Sequence, residues 1–126
     1  MFAIDFRSRE PIYMQIKQQI IKLILTGVLK EDEQLPTVRQ VSLDLNVNPN
    51  TVQKAYQQLD EAGFIYSLTG KGSFIAPLKN KNEVIERKIT QELSKGVSQA
   101  LTYDYTPKKI HEKTDECIDD WKNRNA

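Results

Sequence analysis

Apolar residues recur along the chain in two rhythms, and each rhythm predicts an element. Between Pro11 and Gly27, Ile12, Ile16, Ile20, Leu23 and Ile24 fall at helical steps, with Gln15, Lys17, Gln18, Gln19 and Lys22 mostly between them. That spacing predicts an amphipathic helix, opened by a proline suited to the first turn and closed by a glycine suited to a left-handed residue. The stretch "LKEDEQLP" then reads as a polar loop. Thr37 and Gln40 have the spacing of a reciprocal N-terminal cap, and Val38, Val41 and Leu45 line one face of the short helix behind it. Asn46 suits the left-handed residue that stops this helix, and Val47 is expected to point inward. Asn48 and Pro49 restart the chain as cap and first residue of a third helix. Val52, Ala55, Tyr56 and Leu59 form its buried stripe, and Gly63 ends it.

The rhythm then changes. "FIYSLTGKGSFIA" places β-branched and aromatic residues around Thr69, Gly70, Lys71 and Gly72, which predicts a hairpin with a tight glycine-rich tip. "PLKNKNE" (77–83) reads as a linker. After it Ile85, Ile89, Leu93, Val97 and Leu101 recur every fourth residue, predicting a helix of about five turns. Thr106 and Pro107 restart a last helix carrying Ile110, Cys117, Ile118 and Trp121 on one side. Two such helices do not bury both stripes alone; they need the first domain or a second copy of the chain.

Composition narrows the class without choosing a partner. The 126 residues are 39% apolar and 28% charged, as in a soluble globular protein, and no apolar run is long enough to span a bilayer. The start, "MFAIDFRSRE", has no basic segment followed by an apolar one, so a cytoplasmic protein is expected, with no membrane partner. The single Cys117 has no internal disulfide partner. Net charge is +1: residues 1–79 hold nine Lys/Arg against eight Asp/Glu, and residues 80–126 hold nine of each. Any attraction to nucleic acid must therefore come from where the charges lie.

Helix, short turn, helix and glycine-tipped hairpin form the layout of a winged helix-turn-helix. The fold expected is mainly α with a small β-hairpin: a DNA-binding domain over residues 1–77 and a two-helix dimerisation segment over residues 78–126. In such a domain one helix buttresses a second, whose N-terminal turns enter the major groove and meet the donor and acceptor pattern of the base edges. Asn50, Gln53, Lys54 and Gln57 share the polar outer face of that second helix. Its opening N–H groups are further candidates for receiving a phosphate oxygen.

The stretch "YMQIKQQIIKLILTGVLKEDEQLPTVRQVSLDLNVNPNTVQKAYQQLDEAGFIYSLTGKGSFI" resembles the DNA-binding domain of GntR-family bacterial transcription regulators. The likeness runs from about Pro11 to Ala76. It keeps Tyr-x-Gln-Ile, Gly-x-Leu, Leu-Pro-Thr-x-Arg, Val-x-x-x-Thr-Val and the wing Gly-x-Gly-Ser-Phe in order. The Asn-Pro-Asn-Thr-Val wording and the short tail are similar to the YtrA subfamily, whose members dimerise through two C-terminal helices and often repress transporter operons. The resemblance implies a homodimeric repressor on a pseudo-palindromic double-stranded operator, without a cofactor; it names no small-molecule effector. It implies DNA contacts from Thr37 and Arg39 at the buttressing helix. It implies others from Asn48, Asn50 and Thr51 at the start of the recognition helix, and from Gly70, Lys71 and Gly72 at the wing tip. Many family members carry arginine where this chain has Gln53, and a basic residue where it has Pro49. Gln53 keeps the ability to pair bidentately with adenine but adds no phosphate attraction.

Other readings compete residue by residue. Arg39 alone would equally serve a surface ion pair with Asp44 or an acid of the preceding loop, and the glutamines an ordinary solvated face. His111 and Cys117 stand six apart, so they share no helical face, and no metal site is expected from them. Cys117 is expected as a small apolar filler. One histidine and scattered acids assemble no catalytic set, so an enzyme is not expected. The alternative function is a winged helix used as a protein-interaction module, which the near-neutral charge keeps open.

Overall fold

The computed structural model describes residues 2–126 and divides into two compact units, Met1–Lys81 and Asn82–Ala126. Each is described by itself.

The first unit is built on three helices and a hairpin: α1 (Ile12–Leu25), α2 (Val38–Leu45), α3 (Pro49–Glu61), β1 (Ile65–Leu68) and β2 (Gly72–Ile75). Its core is one cluster: Ile16, Ile20, Ile21 and Ile24 of α1 meet Val41 of α2, the four-residue stripe of α3, and the hairpin ends Ile65 and Ile75. The stripe Val52, Ala55, Tyr56 and Leu59 is buried as its spacing predicts. Val47 is half-buried against this cluster. Burial on this pattern leaves the opposite side of α3 free, which is what positions the site.

Local signals set the helix limits. The Thr37–Gln40 capping box forms both ways, at 3.1 Å to the Gln40 amide and 2.8 Å from the Thr37 amide. Asn46 closes α2 in the left-handed conformation, φ 54° and ψ 48°. Gly27 is left-handed at φ +80°, and α1 ends there. Pro11 differs from expectation by one position: it is extended, ψ 148°, and caps α1 from outside while its carbonyl accepts from Met14 and Gln15.

The stretch read as a polar loop is more ordered than its composition suggests. Asp32 donates its amide to the Ile75 carbonyl, Ile75 to Glu33, and Leu35 to Ser73, at 2.8–2.9 Å, so residues 32–35 run as a third ribbon along β2. Backbone pairing does not depend on side-chain polarity, so a stretch with three consecutive acids still completes a ladder.

The second unit carries α4 (Lys81–Thr102), from its second residue on, and α5 (Pro107–Arg124). Thr106 caps α5 by accepting from the Lys109 amide, with Pro107 as the first helical residue. The expected linker is shorter than read, because Lys81, Asn82 and Glu83 already belong to α4. No glycine or proline interrupts those residues, and Glu83 favours the helix start electrostatically. None of the residues of α4 or α5 is buried within the chain. Leu93 is 60% exposed and Trp121 60%, and Cys117 is exposed too, so it does not act as a core filler here. A groove between the helices is lined by Leu93, Val97, Ala100, Tyr105, Ile110 and Cys117 among others.

Candidate nucleic-acid interface

With its stripe in the core, α3 turns Asn50, Gln53 and Gln57 outward, all exposed, and leaves Thr51 half-buried. Its start is tightly closed. Asn48 accepts the Asn50 amide on its side chain at 2.8 Å, its carbonyl accepts Thr51 and Val52, and Pro49 has no N–H. The expectation that the opening amides of α3 receive a phosphate therefore fails: the capping asparagine has used them. The side-chain NH2 of Asn48 remains as a donor.

At α2 the balance is different. The cap engages the amide of Gln40, so those of Val38 and Arg39 stay unused at the helix start. Thr37 accepts on its hydroxyl oxygen and keeps its hydrogen to donate. Arg39 is exposed and, among the described residues, makes neither the ion pair with Asp44 nor any other. A groove lined by Gln34, Thr37, Gln40 and Asp44 runs past this end.

Two members of the polar face of α3 have internal partners. The Lys54 ammonium lies 4.0 Å from the centre of the Tyr13 ring on α1, a cation–π contact. Gln57 donates to the Glu61 carboxylate at 3.3 Å, one turn on. Gln53 stays unpartnered among the described residues. With Gln57 it lines a cleft whose far wall is Ser67 and Ser73 of the hairpin, so helix face and wing are neighbours.

The wing is braced rather than loose. Gly70 and Gly72 hold φ +75° and +116° on either side of Lys71. The Gln34 carboxamide donates to the Lys71 carbonyl at 2.8 Å, and a Cβ on Gly72 would stand 2.9 Å from that same nitrogen. Tyr66 and Phe74 stack across the strands at 5.6 Å. The Tyr66 hydroxyl donates to Asp32 at 2.7 Å, and that bond, with its carboxylate charge, raises the phenol's pKa. Ser67 donates to Asp60, tying the hairpin to the end of α3. Lys71 itself is exposed at the tip.

Reasoning from spacing overlooked Gln34, which offers no signal at a distance of 37 residues from its acceptor. It also overlooked Gln15 and Gln19. Their carboxamides hold the backbone of residues 3 and 5 along α1, and Gln15 is buried in doing so. Two glutamines one turn apart on the first helix were the available sign.

A helix-turn-helix whose second helix presents free polar groups beside a braced glycine-tipped hairpin is a winged helix-turn-helix of the DNA-binding kind. Residues 12–75 match the family of bacterial regulatory proteins named gntR. The chain belongs to the GntR family. It is 38% identical to the HTH-type transcriptional repressor YtrA of Bacillus subtilis (strain 168), over 97% of this chain and 95% of that protein. A GntR family transcriptional regulator from Listeria monocytogenes has a TM-score of 0.75 at 31% identity, covering 88% of this chain and 98% of that one. AraR(DBD), solved in complex with an operator, has a TM-score of 0.55 at 29% identity and covers 60% of this chain and 96% of that one. The protein is a DNA-binding transcriptional regulator. Among the described residues no helix is long and apolar enough to cross a membrane.

Proposed function

We propose that the chain is a sequence-specific repressor in the cytoplasm that binds a pseudo-palindromic operator as a homodimer, one half-site per subunit. Its likeness to the transcriptional repressor YtrA over nearly the full length of both proteins supports repression; the target in this proposal is a transporter operon. The observation that carries the site is the outer face of α3, where Asn50 and Gln53 stand exposed while the opposite stripe is fully enclosed. In this reading Gln53 and Asn50 meet base edges. Thr37, Arg39 and the two unused amides of α2 meet phosphates, and Lys71 between its glycines reaches the backbone from the wing. Thr51 and Asn48 flank the base contacts. Lys54 and Gln57 lie to either side, the first pulled towards Tyr13 and the second towards Glu61. The dimer forms through the apolar stripes of α4 and α5: Ile85, Ile89, Leu93, Val97 and Leu101 with Ile110, Ile118 and Trp121, all exposed but the half-buried Ile85 and Ile110.

Selection of bound duplexes from a random pool by the purified protein is the direct test. The expected product is an enriched two-fold motif whose binding weakens as salt rises. No enrichment, with weak binding insensitive to salt, would favour the protein-interaction module that the near-neutral charge allows.

A further inference from the structure

Residues 2–11 lie outside the matched family segment, which starts at Ile12, and the backbone of residues 3 and 5 is held in a defined place. Gln19 brackets the backbone of Ala3, and Gln15 that of Asp5, so the arm runs antiparallel to α1 towards its N-terminal end. It then reverses through residues 5–10. The Asp5 carboxylate accepts the Arg7 amide, the Asp5 carbonyl accepts Ser8, and Ser8 accepts Glu10. Arg7 and Arg9 are exposed on this turn, and their guanidiniums have no ion-pair or hydrogen-bond partner among the described residues.

The direction of α1 against α3 tells where the turn points. Tyr13 meets Lys54, and Lys17 meets Gln58 at 3.2 Å, so both helices advance together by four residues per contact. Residues 5–10 are bent rather than helical and stand before Tyr13, so they lie at the end of α1 that faces the N-terminal half of α3. The arm therefore brings its arginines to the side of the N-terminal half of α3, a helix whose opening amides are engaged by Asn48 and whose one cation is Lys54.

Taking DNA binding as established above, we propose that Arg7 and Arg9 are phosphate contacts, set beside the N-terminal half of α3 by the glutamine-braced arm. They add to the charge that Arg39, Lys54 and Lys71 bring to the reading face of a chain of net +1. As phosphate contacts they position the protein and carry no base preference.

The test compares the full chain with Arg7→Ala/Arg9→Ala and Arg7→Lys/Arg9→Lys on the duplex that the unmodified protein selects from a random pool. With two arginines in each of two subunits, the alanine variant should lower the logarithmic salt slope by roughly 3 to 4, at near 0.9 per phosphate. It should weaken binding to all sequences alike, with unchanged thermal unfolding, and the lysine variant should keep most of the slope. Phosphate ethylation should interfere at fewer sites with the alanine variant than with the unmodified protein. If the unmodified protein binds with a salt-dependent affinity and the alanine variant keeps its slope and interference sites, the arm is not a contact and DNA binding stands. If the unmodified protein selects no duplex, the DNA-binding reading itself falls, and this inference with it.

Discussion

Tyr56 joins the core to the turn before α2. Its hydroxyl donates to the Pro36 carbonyl at 2.6 Å, and burial pushes its phenol far above the ordinary value. A pKa raised on folding contributes stability that is complete below the unfolded value, near 10 for a phenol, and is lost as pH rises through the folded one. Tyr66, raised by its bond to Asp32, acts in the same direction. Thermal unfolding followed from about pH 8 to 11 should reveal a loss setting in above about pH 10. Tyr56→Phe should cost about 0.5–1.5 kcal/mol at neutral pH and flatten that alkaline limb. A limb of unchanged steepness would assign the loss to other groups. On the polar face, Gln53→Ala should cost about 1–3 kcal/mol on the preferred operator and relax one position in each half-site. Lys71→Ala should weaken all sequences alike and make the salt slope shallower by about one. Competition binding with singly substituted duplexes separates the two, and unaltered preferences in Gln53→Ala would leave that face merely solvated.

The hairpin owes its shape to a residue outside it. Gln34 grips the Lys71 carbonyl, and residues 32–35 extend the ladder along β2, so the tip is held from a stretch whose composition reads as a loop. Gly72 is the tight point: its φ of +116° disfavours any side chain, and a Cβ would press on the Gln34 nitrogen at 2.9 Å. Gly72→Ala should destabilise the fold by more than about 1 kcal/mol and lower operator affinity while the helices persist. Denaturant unfolding paired with helical circular dichroism reads both effects. Gln34→Ala should loosen the tip without that backbone strain, weakening DNA binding more than it lowers the unfolding midpoint.

The proposed dimer turns on the second unit. Helices of 22 and 18 residues that bury none of their side chains internally leave Leu93, Val97, Leu101 and Trp121 facing solvent in a single chain. Stripes of that length gain more from covering one another than from water contact, at roughly 25 cal/mol per Å² of apolar surface. Leu93→Glu with Val97→Glu should therefore yield monomers in sedimentation at micromolar concentration, with weakened binding to a two-half-site duplex and little change for one half-site. A monomeric unmodified protein at that concentration would refute the dimer.

Helix positions, the three side-chain helix caps and the hairpin are legible because each rests on local chemistry. A Thr and Gln three apart cap one another, a Pro after Asn opens a helix, and apolar residues at helical spacing choose the buried side wherever the core lies. The polar face of α3 was legible as the complement of that choice. Contacts between distant parts were not. Gln34 holding the wing, the glutamine-braced arm, Lys54 over Tyr13, and the acidic ribbon beside β2 join residues through space, and their side chains have the same polarity as any solvated surface. Even the free backbone donors of the helix starts are distributed in this way, since Asn48 closes α3 while Thr37 leaves two amides of α2 open. Spacing along the chain encodes which face of an element is apolar. Which polar group meets which is decided only when folding brings donors within hydrogen-bonding distance of acceptors.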